Sequence, residues 1–154
     1  MNENNLEKII NNIVGDAIVK EVMSLKLAVK LIETVEEKAA EMGLAVVVAV
    51  SDASGRPIAV HCMDGAYHGS FDVAVNKTYT STAFQMSTAK LSRLCQPGQD
   101  LYGLQFSNNG KVMILGGGEP LMVGKTMIGA LGVSGGSAQE DSDLAAYGAS
   151  ALKE

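Results

Sequence analysis

The sequence predicts an α+β domain built on a mainly antiparallel sheet of about five strands. Apolar residues first recur at helical spacing, and later form strand-length runs that are joined by short turns. Turns such as Asp52–Gly55 join successive strands, so the strands are expected to pair as hairpins and not as alternating βαβ units. The run Leu44–Val50 is apolar at every position, which indicates a strand covered on both faces. We therefore expect helices, or a partner subunit, on both sides of the sheet.

Two amphipathic helices are predicted ahead of the first strand. The first spans residues 5–22, where apolar side chains recur from Leu6 to Ile18. Ser24 can cap the second helix, and Gly43 can end it. The whole chain, residues 1–154, is expected to form a single domain in which residues 1–23 add the extra N-terminal helix.

The remaining elements are predicted from periodicity and turn residues. The strand Pro57–Met63 returns beside the first strand, and two helical segments follow it before a polar loop. Gly116–Gly118 is interpreted as a turn between strands. Ser137 and Glu140 have the spacing of a capping box, which starts the last helix. The predicted segments in this part of the chain are helices 70–88, 87–94 and 137–152, and strands 111–115, 120–123 and 126–133.

Composition excludes several classes of function. The net charge of −5, without any basic cluster, argues against a nucleic-acid surface. No apolar run reaches the length of a membrane span, and the polar N-terminus does not resemble a signal peptide. Cys62 and Cys95 lack the spacing of a zinc site or a disulfide framework. These features predict a cytoplasmic protein with reduced thiols.

The chain contains no recognisable catalytic motif, so its candidate site is a cluster of ligand side chains. His61, Met63 and His68 lie close together in sequence, and strand alternation places His61 and Met63 on one face and Cys62 on the other. Histidine and methionine are ligands of haem iron. We predict His61, Met63 and His68 as ligand-binding residues and the two histidines as metal ligands. The alternative is that His61 and Met63 are structural and His68 is a surface residue.

Lys77 is a further candidate for ligand binding. It lies in the middle of a predicted helix among small side chains, including Ala74, Thr78 and Ser81. A lysine on such a crowded face could meet an anionic ligand. The alternative is that its aliphatic stem follows the helix and its ammonium group reaches water.

Three short motifs follow one another along the chain: Met63-Asp64-Gly65, Gly117-Gly118 with Pro120, and the segment from Ile128 to Gly136. In these motifs the sequence resembles the GlcG/HbpS family, which includes the C-terminal domain of PduO-type cobalamin adenosyltransferases. The resemblance extends from about Ser24 to Leu152. It implies a profilin-like α-β-α sandwich and a homo-oligomer, often an octamer. It also implies binding of haem, or of a related tetrapyrrole such as a corrinoid.

The sequence departs from that family in one respect. Some haem-binding members coordinate the iron through a histidine in the N-terminal helical part, whereas this chain has no histidine before His61. Two hypotheses follow. The first is a non-enzymatic small-ligand-binding protein for haem or a corrinoid. The second is an accessory factor or enzyme acting on a small metabolite in diol, glycerol or glycolate catabolism. The lack of an acid–base or nucleophile arrangement favours the first.

Overall fold

Four strands form one antiparallel sheet in the computed structural model, which describes residues 22–153. The strands are β1 (Val47–Asp52), β2 (Pro57–Cys62), β3 (Gly118–Val123) and β4 (Thr126–Ser134). Their order across the sheet is β2-β1-β4-β3, so β2 and β3 are the edge strands. The predicted α+β class and antiparallel pairing are confirmed. The prediction of about five strands is wrong, because the sheet has four.

The strand predicted at residues 111–115 does not form. The backbone of this segment makes hydrogen bonds with a helix side chain and not with a neighbouring strand. The Thr80 hydroxyl donates to the Lys111 carbonyl at 3.3 Å and accepts from the Met113 N–H at 2.8 Å. The segment buries Val112 while remaining irregular. Its apolar residues therefore reflect contact with the core and not strand pairing.

Helices lie before, between and after the strands. They are α1 (Leu25–Glu41), α2 (Ser70–Phe84), α3 (Thr88–Leu94) and α4 (Ala138–Ser150). The structure also describes short 3-10 helices at Leu104–Phe106, Asn108–Gly110 and Ala151–Lys153. Ser24 caps α1, and Ser137 and Glu140 form the predicted capping box of α4. The predicted first helix lies almost entirely outside the described residues.

The sheet is covered on both faces by helices of the same chain. Val48, Val50, Leu131 and Val133 pack with α1 and α4, whereas Val47 and Ala49 pack against Ala74 of α2. The strand β1 is thus buried on both sides, as its continuous apolar sequence predicts. On the α2 side, a Cβ atom at Gly132 would collide with the Ala74 carbonyl, so this glycine lets the helix approach the sheet.

Gly116–Gly118 is not the hairpin turn that the sequence suggests. The segment passes between helices and leads directly into β3, which begins at Gly118. A Cβ at Gly116 would meet Ser142 and Ala138 of α4, and a Cβ at Gly118 would meet Thr88 of α3 and the backbone of α2. Within the described residues, no helix is long and apolar enough to cross a membrane.

Candidate functional site

The edge strand β2 is the least covered part of the sheet around the predicted ligand residues. Each of its residues, Pro57–Cys62, keeps some solvent exposure, whereas Val47–Ser51 of the neighbouring β1 are buried. The chain then continues through Met63 and a turn to α2. We call this region, residues 57–69, the β2 edge. It contains the two histidines of the protein.

His61 is held by a carboxylate from α1. Its Nδ1 atom lies 3.1 Å from Oε1 of Glu36, and the two side chains are 37% and 25% exposed. A carboxylate at Nδ1 favours the tautomer that carries its proton there, which leaves the lone pair on Nε2. Nε2 has no hydrogen-bond partner among residues 22–153. The ring is therefore oriented, accessible and able to act as a donor ligand.

Met63 lies on the same side of the sheet as His61, as strand alternation predicts. It packs against the core cluster that α1 contributes to, and its sulfur accepts the Val46 N–H at 3.5 Å. The Met63 N–H in turn donates to the Val46 carbonyl at 3.1 Å. Cys62 is exposed and has a free thiol. The structure thus brings Met63 and His61 together on the α1 side.

His68 lies in the turn that begins α2, on the other layer of the sandwich. It is exposed, and its carbonyl accepts the Phe71 N–H at 3.2 Å. Tyr67 and Phe71 are also exposed, so the start of α2 presents aromatic surface. His61 faces α1, whereas His68 leads into the helix on the opposite face. Across residues 22–153, no group of three or more His, Cys, Asp or Glu side chains gathers as a metal site.

Lys77 is buried inside the protein and does not reach water. Only 1% of its side chain is exposed, and its ammonium group donates to the Val133 carbonyl at 2.6 Å and to Oδ2 of Asp141 at 2.9 Å. Asp141 also accepts the Gly136 N–H through Oδ1 at 2.9 Å. Burial lowers the pKa of Lys77, although Asp141 acts in the opposite direction. The pair links α2, β4 and α4, and contact of Lys77 with a ligand stays a prediction.

Glu36 and Asp141 are the two residues whose roles sequence reasoning missed. The helical pattern places Glu36 on the solvated face of α1. Asp141 lies in the first turn of the last helix, where the sequence predicts only that its charge is favourable beside the positive end of the helix dipole. Both contacts join residues far apart in the chain, 25 positions for His61 and 64 for Lys77. For the pair of Lys77 and Asp141, the sequence offered two signals. One was a lysine between small residues on a helix, and the other was an aspartate at the start of the last helix that is not part of its capping box.

The chain matches one family model and several known proteins. The family model described as "Haem degrading protein HbpS-like" matches residues 23–150. An uncharacterized 15.0 kDa protein in the dhaT-dhaS intergenic region of Citrobacter freundii is 39% identical over 123 residues, which cover 80% of this chain and 87% of that protein. The corrinoid adenosyltransferase PduO of Salmonella typhimurium is 39% identical over 109 residues, which cover 71% of this chain but only 32% of PduO.

Solved structures share the fold. Klebsiella pneumoniae protein ORFY superposes with a TM-score of 0.84 at 35% identity, covering 86% of this chain and 92% of ORFY. The PduOC haem complex superposes with a TM-score of 0.80 at 35% identity, covering 84% of this chain and 94% of PduOC. The four-stranded sheet with helices on both faces is therefore the architecture of these relatives, and the protein belongs to the HbpS-like family.

Proposed function

We propose that the protein binds haem at the β2 edge, with Nε2 of His61 as the ligand of the iron. The observation that carries this proposal is the contact between His61 Nδ1 and Glu36. Histidines that bind metals commonly place the other ring nitrogen against a carboxylate, which fixes the ring and raises its basicity. His61 has this arrangement on a partly exposed strand, and a relative of the same fold is a haem complex.

The surroundings of His61 suit a flat, apolar ligand. Ile58, Ala59 and Met63 are partly buried hydrophobic residues that pack against the core on the α1 side. A macrocycle lying along β2 would cover the remaining apolar surface of these side chains, and such burial is favourable. Haem iron ligated by histidine can bind small molecules or transfer electrons. The protein would hold and orient the ring, and its own residues would control the access of water.

His68 and Lys77 have different places in this proposal. His68 is an exposed imidazole beside Tyr67 and Phe71, and we retain it as a second proposed ligand. Lys77 would support the ligand site without touching the ligand, because its ammonium group is hydrogen-bonded to Asp141 and to the Val133 carbonyl. In this way Lys77 fixes α2 against β4 and so fixes the turn that presents His68.

Assembly into a homo-oligomer would complete the site. One face of a macrocycle can rest on β2, and the opposite face would stay in water unless another surface covers it. A second copy supplies that cover, and the exposed aromatic residues at the start of α2 suit such a contact.

Light scattering should show a particle several times the 16.1 kDa chain mass. A 16.1 kDa particle at micromolar concentrations, with or without hemin, would contradict the assembly.

Titration with hemin tests the ligand assignment. The wild-type chain should give a saturable Soret band, and His61→Ala should lose it, because the iron loses its nitrogen ligand. Glu36→Gln should weaken binding by about 10-fold to 100-fold, since the imidazole loses its orienting carboxylate. Absorption spectroscopy at fixed protein concentration gives both affinities.

His68→Ala is the matched comparison for that titration. It removes an exposed imidazole that forms no ion pair with a carboxylate among residues 22–153. A shifted or weakened Soret band in His68→Ala, together with loss of the band in His61→Ala, supports His61 as the principal ligand and His68 as the second. Loss of the band in His68→Ala alone would contradict the assignment, and so would the absence of any Soret change in the wild-type protein.

Two other functions remain candidates because particular relatives favour them. The matching family is described as haem-degrading, which predicts decay of the Soret band when a reductant and oxygen are added to the complex. The PduO relative is a corrinoid adenosyltransferase, and this chain spans about a third of it. A protein that binds a corrinoid would instead show saturable binding of cobalamin and none of hemin.

A further inference from the structure

A cavity lies at the other edge of the sheet, between β3 and the C-terminal half of α4. Its volume is about 230 Å³. The edge strand β3 and α4 provide its wall, which consists of Glu119, Pro120, Met122, Ala146, Ala149 and Ser150. It is separate from the β2 edge, since β1 and β4 lie between the two edge strands.

Glu119 is the charged side chain of this cavity. Its carboxylate forms no hydrogen bond or ion pair with the side chains that the structure describes, those of residues 22–152. Burial raises the pKa of Glu119, because the charged form has lost part of its water. A desolvated carboxylate without a partner is costly, and a cation that enters the cavity would remove that cost.

Ser150 provides a second acceptor beside Glu119. It is the last residue of α4, and the Gly148 and Ala149 carbonyls near it accept the Ala151 N–H. The Ser150 hydroxyl donates to the Tyr147 carbonyl at 2.7 Å, so the lone pairs of its oxygen remain available to a donor. The cavity thus combines acceptors with an apolar wall.

We infer that this cavity binds a short primary alkylammonium ion, with its ammonium group on Glu119 and Ser150 and its alkyl chain on Met122, Ala146 and Ala149. A divalent metal fits less well, because Ca²⁺ needs about six to eight oxygen ligands and Mg²⁺ about six in near-octahedral geometry, whereas this wall offers one carboxylate. The alkyl chain explains the apolar residues, and the ammonium group supplies the missing positive charge.

Nuclear magnetic resonance with n-butylammonium chloride tests the inference. The full chain is titrated while the backbone amide signals are followed, and saturable shifts are expected at Glu119, Ala149 and Ser150. Glu119→Gln keeps the shape of the side chain and removes its charge. This variant should bind at least about tenfold more weakly, because a hydrogen bond to a charged group is lost. A dispersed spectrum without ligand shows that the variant is folded.

Two matched comparisons make the result specific. n-Butanol has the same alkyl chain without the charge, and it should give no saturable shift at the same concentrations. Ala149→Leu should block binding by filling the apolar end of the cavity while Glu119 is retained. Hemin binding at the β2 edge should be unchanged in Glu119→Gln, so failure of this inference is distinguishable from failure of the proposed function.

Three results would overturn the inference. The first is the absence of saturable shifts in the wild-type chain, and the second is equal binding by Glu119→Gln. The third is occupation of the cavity by a lysine or arginine of a second copy of the chain. In that case Glu119→Gln would lower the molecular mass measured by light scattering, and n-butylammonium would not bind to the wild-type assembly.

Discussion

Replacing Lys77 with methionine should lower the free energy of unfolding by about 3–5 kcal/mol, because it leaves the Asp141 carboxylate buried without its cation. Lys77 is 1% exposed and Asp141 is 5% exposed, so water cannot take the place of the lost ammonium group. Methionine has a similar volume, which separates the electrostatic loss from a cavity effect. Urea denaturation measures the change through the transition midpoint.

A second replacement distinguishes the ion pair from simple repacking. Asp141→Asn keeps the acceptor for the Gly136 N–H and removes the charge that Lys77→Met leaves without a partner. The double variant should therefore be more stable than the sum of the two single changes predicts, by at least about 1 kcal/mol. Strict additivity would contradict this expectation, since it would mean that Lys77 and Asp141 do not interact energetically.

Gly117→Ala should cost at least about 3 kcal/mol of stability, because the backbone conformation and the surrounding atoms both exclude a methyl group. Gly117 has φ of +115°, and a Cβ there would lie 2.6 Å from the Val133 oxygen and 2.8 Å from the Lys77 Nζ. The Gly117 carbonyl also accepts the Val133 N–H at 2.8 Å, so the segment cannot move away without losing that bond.

Gly103→Ala is the matched control for Gly117→Ala. Gly103 has φ of +98°, but a Cβ at this position would have no atom within 4 Å, so only the backbone cost applies. We expect a loss of about 1 kcal/mol at this position. Thermal denaturation of both variants compares the two costs. Equal losses would show that the contacts of Gly117 with Lys77, Asp141 and Val133 do not constrain the fold.

The elements that local pattern determines could be predicted from the sequence. The cap at Ser24, the capping box of Ser137 and Glu140 and the doubly covered strand β1 all depend on neighbouring residues or on periodicity. The prediction of a strand at residues 111–115 was wrong because of a tertiary contact. The backbone of these residues bonds to Thr80, which lies 31 positions from Lys111 and 33 from Met113, and nothing in the segment itself signals that partner.

The candidate site was only partly predictable for the same reason. His61 and Met63 share a face because strands alternate, and the structure places both on the α1 side. The carboxylate that orients His61 comes from Glu36, which a helical pattern assigns to the solvated face. Which residue of a helix meets which residue of a strand depends on the packing of the two, and one sequence does not encode this in any local pattern.

A crystal structure of the protein with hemin tests the central claim most directly. We predict that the iron is bonded to Nε2 of His61, that Nδ1 keeps its contact with Glu36, and that the macrocycle lies against Ile58 and Met63. Haem bound elsewhere, with His61 still facing Glu36 and free of the iron, would contradict the claim.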